Sequence, residues 1–397
     1  MISKLFNDKH ASLRHGIILL LGICFFIFLY LFNQIDKAQL INRQNTSFEK
    51  AVVQEVINDN SSEYGSSSGK QRVKLKILSG EHRGKNVYAS SFNGYLYGAD
   101  CKENMRVIVS LSVSGDDYVA SVYGYDRSPI IYGFIGLFLL ILCIIGSKKG
   151  FKSAIGLVFT FICIIFMFIP MIYRGYSPFL SAVIVVILVT IVSMYLIDGI
   201  TIKSVSAMLG TVIGVIIAGI FAAGFGHLAK ISGYNVSEIE ELIFVANNTN
   251  LKIGGLLFAG ILIASLGAVM DVSMSVASTI NEIYDKNPDL SGKELFKSGI
   301  NVGKDMMGTM SNTLILAFTG GSINTLILNY SYNMQYNQII NMYSIGIEIM
   351  QGISGSIGVI LTVPLVSFIT SFLLTNSKLK SNKIYTSTIM KWCKVIN

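Results

Sequence analysis

"GAVMDVSMSV", residues 267–276, sets one carboxylate, Asp271, inside a run whose other members are apolar or small. Whether that run lies in a protein core or in a lipid bilayer decides the fold, because the cost of the charge differs between the two. Composition answers. Of 397 residues, 52% are hydrophobic and 14% charged, whereas roughly a quarter of the residues of a soluble domain are charged. The chain reads as an integral membrane protein.

Apolar stretches of about 18 residues or more, the length that crosses a hydrocarbon core about 30 Å thick, recur along the chain. Eight are present, near 13–32, 129–146, 151–172, 178–197, 204–228, 253–276, 306–328 and 345–373. The first follows Lys4, Lys9 and Arg14 and is succeeded by NQIDKAQ rather than by a small-x-small cleavage site, so it reads as an uncleaved anchor. The expected organisation is a tail and anchor over 1–32, an extracytoplasmic β domain over 33–128, a seven-helix membrane domain over 129–375 and a basic tail over 376–397.

The net charge of +8 is explained by topology rather than by a nucleic-acid partner. SKKGFK (147–152), Lys203, the lysines from Lys286 to Lys304 and the tail NSKLKSNKIYTSTIMKWCKVIN all fall on one side if the spans alternate. The opposite loops carry Glu238, Glu240 and Glu241, or, in NYSYNMQYNQIINMYS, no charge. Positive residues stay inside, so both termini are expected in the cytoplasm and the protein in the plasma membrane. Of five cysteines only Cys101 falls in the expected external region, and neither Cys-x-x-Cys nor a His-rich spacing occurs. No metal or cofactor is expected.

Residues 33–128 read as β. SFEKAVVQEVI, QRVKLKILSG, NVYASSF, MRVIVSLSVSG and YVASVYGYD are short, Val-rich and often alternating, with NDNSSEYGSSSG, SGEHRG and SGDD as turns between them. Five such strands fit a small barrel or sandwich of the OB or SH3 kind. Lys74, Lys76, Arg83 and Lys85 with Tyr88 and Tyr95 read as a solvated face. The expected partners are the bilayer and, through the β domain, an envelope protein or a small solute. An oligomer is compatible with the sequence, and nucleic acid is not expected.

From about residue 130 to 375, LGAVMDVSMSVASTINEI, SGKELFKSGINVGKDMMGTMSNTLILAFTG and EIMQGISGSIGVILTVPLVS follow in order. On these blocks the chain resembles the YibE/F-like membrane proteins. That resemblance implies an architecture of anchor, β domain and helical membrane domain, without a substrate. A fainter likeness joins Gly267, Asp271 and TMSNTLILAF (309–318) to the SecD/SecF translocation subunits and the resistance, nodulation and division pumps. In those proteins a Gly-x-x-x-Asp helix is followed by a cytoplasmic amphipathic stretch and a returning helix rich in Asn and Thr. The eight spans, the smaller β-type external domain and the missing paired aspartates depart from that pattern.

A carboxylate facing lipid costs several kcal/mol, so Asp271 is expected to face protein or water. Asp271, Asp305, Glu348, Asn312 and Thr313 are the candidate ion- or proton-coupling residues. Asp198 and Asp305 also suit interfacial solvation or helix capping. His227 reads as interfacial, whereas Glu348 and Gln351 share a helical face. Gly210, Gly214 and Ala218, four apart, read as packing, as do Met306, Met307 and Met310, which lack a Cys or His companion. GGSIN (320–324), GISGSIG (352–358) and Pro364 are candidate helix breaks.

Three functions compete. The first is a transporter or an ion- or proton-coupled membrane machine; the second is a non-transporting envelope assembly or scaffold factor. The third, an intramembrane aspartyl protease, would use Asp271 and Asp305 as a pair sharing a proton, but Gly303-Lys304-Asp305 lacks a second glycine. No nucleotide-binding loop or nucleophile elbow points to another enzyme.

Overall fold

Period-2 alternation shapes one part of the chain and unbroken apolar runs the other. The computed structural model describes residues 20, 22–35, 37–38, 40, 46–59, 70–92, 97–114 and 117–379. It forms two compact units, one of Gln39–Ile145 and one of Met1–Ala38 with Gly146–Asn397.

In the first unit the strands are β1 (Thr46–Asp59), β2 (Lys70–Ile77), β3 (Asn86–Phe92), β4 (Arg106–Ser114) and β5 (Asp117–Tyr125). They close into a barrel in the order β1-β2-β3-β5-β4. The β3–β5 pair is parallel and the other pairs antiparallel, the strand order of an OB barrel rather than a sandwich. Alternation along β2 buries Gln71, Val73, Leu75 and Ile77 and turns Lys70, Arg72, Lys74 and Lys76 outward. Val53, Val107, Val109 and Leu111 complete the interior. β1 pairs with both β2 and β4, and irregularities between Val53 and Glu55 and between Val56 and Asn58 give it the bend that this requires. Gly98 closes the loop after β3 at φ +86°, where a Cβ would lie 1.5 Å from the Phe92 carbonyl oxygen. Only glycine fits there.

The helices are α1 (Gly22–Phe32), α2 (Ser128–Cys163), α3 (Ile169–Tyr173), α4 (Pro178–Asp198), α5 (Ile202–Ala229), α6 (Ile239–Asn247), α7 (Leu256–Lys286), α8 (Gly292–Gly321), α9 (Ile323–Ser331), α10 (Tyr336–Ile340) and α11 (Tyr343–Leu379). A π-helical turn, Ile164–Phe168, links α2 to α3. Five segments are long and apolar enough to cross a membrane: Ser128–Tyr173, α4, α5, α7 and Tyr343–Asn376. The pair α8 and α9, bent by 59°, meets the same test together. This is a membrane protein.

The segment Ser128–Tyr173 has 46 residues, about 69 Å at a helical rise, more than twice a hydrocarbon core. Its backbone leaves the helical region at Ser147 (φ 49°, ψ −130°), inside the basic SKKGFK stretch. Of the candidate breaks, GGSIN is the site of the 59° bend. GISGSIG and Pro364 instead stay within the single helix α11.

Small residues set the helix register. A Cβ at Gly210 would lie 2.0 Å from Val366, and one at Gly214 1.8 Å from Thr362, so α5 runs antiparallel to α11. Gly299 lies against Ser367 and Gly303 against Val363, so α8 is antiparallel to α11 as well. Gly219 meets Leu262 and Gly214 meets Val269, which makes α5 antiparallel to α7. The starts of α4 and α7 meet where Gly255 touches Pro178. Lys203, Lys286, Lys293, Lys297 and the end of α11 therefore share one end of the bundle.

Candidate functional site

The helical period of α7 divides its residues into two faces. Leu262, Leu266, Val269, Val272, Val276 and Ile280 are buried against the neighbouring helices. Gly260, Ala264, Gly267 and Asp271 are exposed, and half-buried Ser275 and Ser278 continue the stripe. Asp271 thus sits on the outer face of α7 rather than among the packed helices. It is the central residue of Leu256–Lys286, because the helix continues beyond the apolar stretch through the amphipathic STINEIYDK. Among the described residues, no atom outside their own stretch of helix lies within 4 Å of a Cβ placed on Gly260 or Gly267, so the carboxylate stands on a smooth, open surface.

α8 starts at a capping box in which Ser291 Oγ accepts from the Glu294 N–H at 3.3 Å and the Glu294 carboxylate accepts from the Ser291 N–H at 2.8 Å. Asn301, Asp305, Gly308, Thr309, Asn312 and Thr313 are exposed along it. The Thr309 and Thr313 hydroxyls donate to carbonyls one turn back at 2.7 and 2.9 Å. The contact of Gly299 with Ile280 fixes the register of α7 against α8. Counted from that contact, Asp271 is level with Gly308, Asp305 lies about 4.5 Å nearer the connecting loop, and Asn312 stands about 6 Å away on the other side. Asp271 and Asp305 are both exposed, on different helices, whereas a proton-sharing aspartyl pair is held close together in one site.

The remaining candidates separate. Glu348 and Gln351 are half-buried on α11. Counted from the Gly303–Val363 contact, Glu348 stands about 15 Å along the bundle from the Asp271 level. Asp198 is held by Lys203 at 2.9 Å, a local ion pair between the end of α4 and the start of α5. His227 is exposed in the last turn of α5. Met306, Met307 and Met310 pack against the main core. No group of three His, Cys, Asp or Glu side chains gathers among the described residues.

The interior has a polarity of a different kind. Ser354, Ser356, Thr362, Ser367, Thr370 and Ser371 are buried hydroxyl residues of α11, spread around the helix. Thr362 and Ser356 donate to carbonyls one turn back at 2.7 and 2.8 Å. The hydroxyls of Ser311, Ser367, Thr370 and Ser371 have no partner among the described residues. Unpaired hydroxyls buried in an apolar bundle carry a desolvation cost. These residues stand in the sequence within SGSIG and TVPLVSFITS, but without a helical period that would mark them as a buried polar set.

Comparison with curated proteins and with solved structures gives no significant match. The segment that carries Asp271, the polar face of α8 and the buried hydroxyls of α11 is also the segment that a family model matches: over residues 134–376 it is that of the YibE/F-like protein, and the chain belongs to this family.

Proposed function

We propose that this chain is an ion- or proton-coupled membrane machine of the plasma membrane, with Asp271 as its coupling group. The observation that carries the reading is the central carboxylate on the open, small-residue face of α7, at the same level along the bundle as the exposed α8 stretch that holds Asp305 and Asn312. A charge there is not tolerated by lipid and has to meet water, a partner surface or a proton. Loss of the charge on protonation or ion binding removes that demand. α7 then changes neighbours at low cost, since Gly260, Ala264 and Gly267 present no knobs that would lock it. In this reading the chain has eight spans: α1, the two halves of Ser128–Tyr173 on either side of Ser147, α4, α5, α7, the bent α8–α9 pair and α11. Both termini are cytoplasmic, in keeping with the lysines gathered at one bundle end, and the barrel is external, where it meets a solute or an envelope partner.

A second reading, a scaffold without transport, draws on the same face of α7, since a stripe of small residues also suits a partner helix. Proteoliposomes separate the two. The parent protein should dissipate an imposed pH gradient faster than empty vesicles, and Asp271→Asn, inserted and melting like the parent, should not. Equal proton movement by both proteins sinks the coupling role. No movement by either favours the scaffold.

A further inference from the structure

We propose that the β2–β3 face of the barrel is a binding surface for a linear polyanion without bases, a polyol- or sugar-phosphate chain. Lys70, Arg72, Lys74 and Lys76 all point outward from one strand. The strand rise separates successive members by about 6.6 Å, so the row covers about 20 Å. Like charges in such a row repel, and the usual remedy is an acid on the neighbouring strand. β3 offers none: Asn86, Tyr88, Ser90 and Phe92 point outward there. On β1, Glu55 stands opposite Lys74. Among the described residues, none of the three ion pairs involves the row. Glu55 offsets Lys74 in part, and the row keeps a net positive field, which attracts and holds a chain of negative charge.

Two features define that chain. The cations form a line rather than a plane, which fits a strand-like polymer better than a flat array of headgroups. The rings also hold the cations in place: Lys70 lies 5.6 Å from the centre of the Phe92 ring and Arg72 lies 5.6 Å from that of Tyr88. A cation over each ring takes one of the two faces on which a nucleic-acid base would stack, which favours a ligand read by its charges over one read by stacking. Arg83 and Lys85, which the sequence groups with Lys74 and Lys76, lie outside the row. Lys85 instead meets Tyr118, both by hydrogen bond and over its ring at 4.8 Å, with His82 against the same ring.

The test uses the full chain in detergent and fluorescent poly(glycerol phosphate), followed by anisotropy over a salt series. Saturable binding is expected, with log Kd rising against log salt with a slope of about 3, as four neutralised charges on a flexible chain require. Lys70→Gln/Arg72→Gln/Lys74→Gln, with the parent's melting curve, should weaken binding at least about tenfold and bring the slope below about 1. Lys102→Gln, exposed and off the row, should leave both unchanged. The proposal is overturned if the polymer does not bind, or if the triple variant binds like the parent. It is also overturned if single-stranded oligothymidylate binds more tightly and loses affinity in Tyr88→Ala/Phe92→Ala, which would make the face a nucleic-acid site.

Discussion

Gly214→Ala tests how closely the helices meet. A Cβ at Gly214 would lie 1.8 Å from Thr362 Oγ1 on α11 and 2.9 Å from Val269 Cγ1 on α7. Three helices converge at this point, so moving away from one neighbour presses on the other. Thr362 has little freedom to yield, because its hydroxyl donates to the Gly358 carbonyl at 2.7 Å and rotation would strand it in an apolar interior. Overpacking of this kind costs about 1–3 kcal/mol. Alanine returns at most about 1 kcal/mol of helix propensity, and the 1.8 Å approach places the clash at the upper end of that range, so a net loss of about 2 kcal/mol is expected. Gly267→Ala is the matched control: among the described residues no atom outside its own stretch of helix lies within 4 Å of its Cβ, so it keeps the propensity gain without the clash. Thermal unfolding followed by circular dichroism in one detergent, at one scan rate, should place Gly214→Ala below the parent and Gly267→Ala at or above it. A Gly214→Ala protein as stable as the parent would refute the packing described for α5, α7 and α11.

Two further outcomes follow from topology and capping. Single-cysteine labelling of cells from outside should modify Asn60→Cys and spare Leu290→Cys and Tyr385→Cys; the reverse pattern would invert the orientation. Asp126 accepts from Ser128 at the start of α2 and pairs with Lys50 at 3.2 Å, and the Ser128 hydroxyl, its largest influence, holds the carboxyl below the usual carboxylate range. A lowered folded pKa adds stability that is full above the unfolded value of about 4 and is lost as the pH falls through the folded one. Asp126→Ala should therefore melt lower at neutral pH, by about 1 kcal/mol for a lost cap, and should lose less than the parent on acidification. Parallel acid profiles for the two proteins would contradict this.

The barrel was legible because its residues serve water on one face and a core on the other. QRVKLKI alternates without a fault, and the structure follows it residue by residue. Runs apolar on all sides gave the helices but neither their ends nor their orientation. The end of α7 lies beyond its greasy stretch because STINEIYDK keeps an apolar seam, with Ile280 and Ile283 packed in the core, inside a polar sequence. The outward direction of Asp271 was encoded in Gly260, Ala264 and Gly267, which precede it at helical spacing, opposite the Val and Leu residues that pack. Attention to the charge alone hid that pattern. GISGSIG read as a break because glycine weakens helices in water. In this bundle Gly358 stays helical, and a Cβ there would lie 2.8 Å from Ala218.

The coupling role of Asp271 requires that its position exchange with water. Asp271→Cys, in a chain whose native cysteines are replaced by alanine, gives the most direct measurement. A small charged thiol reagent should modify it in sealed vesicles, and Asp305→Cys, about 4.5 Å away along the bundle, should react with it too. If position 271 reacts only with a lipid-soluble reagent, it faces hydrocarbon, and the coupling account fails.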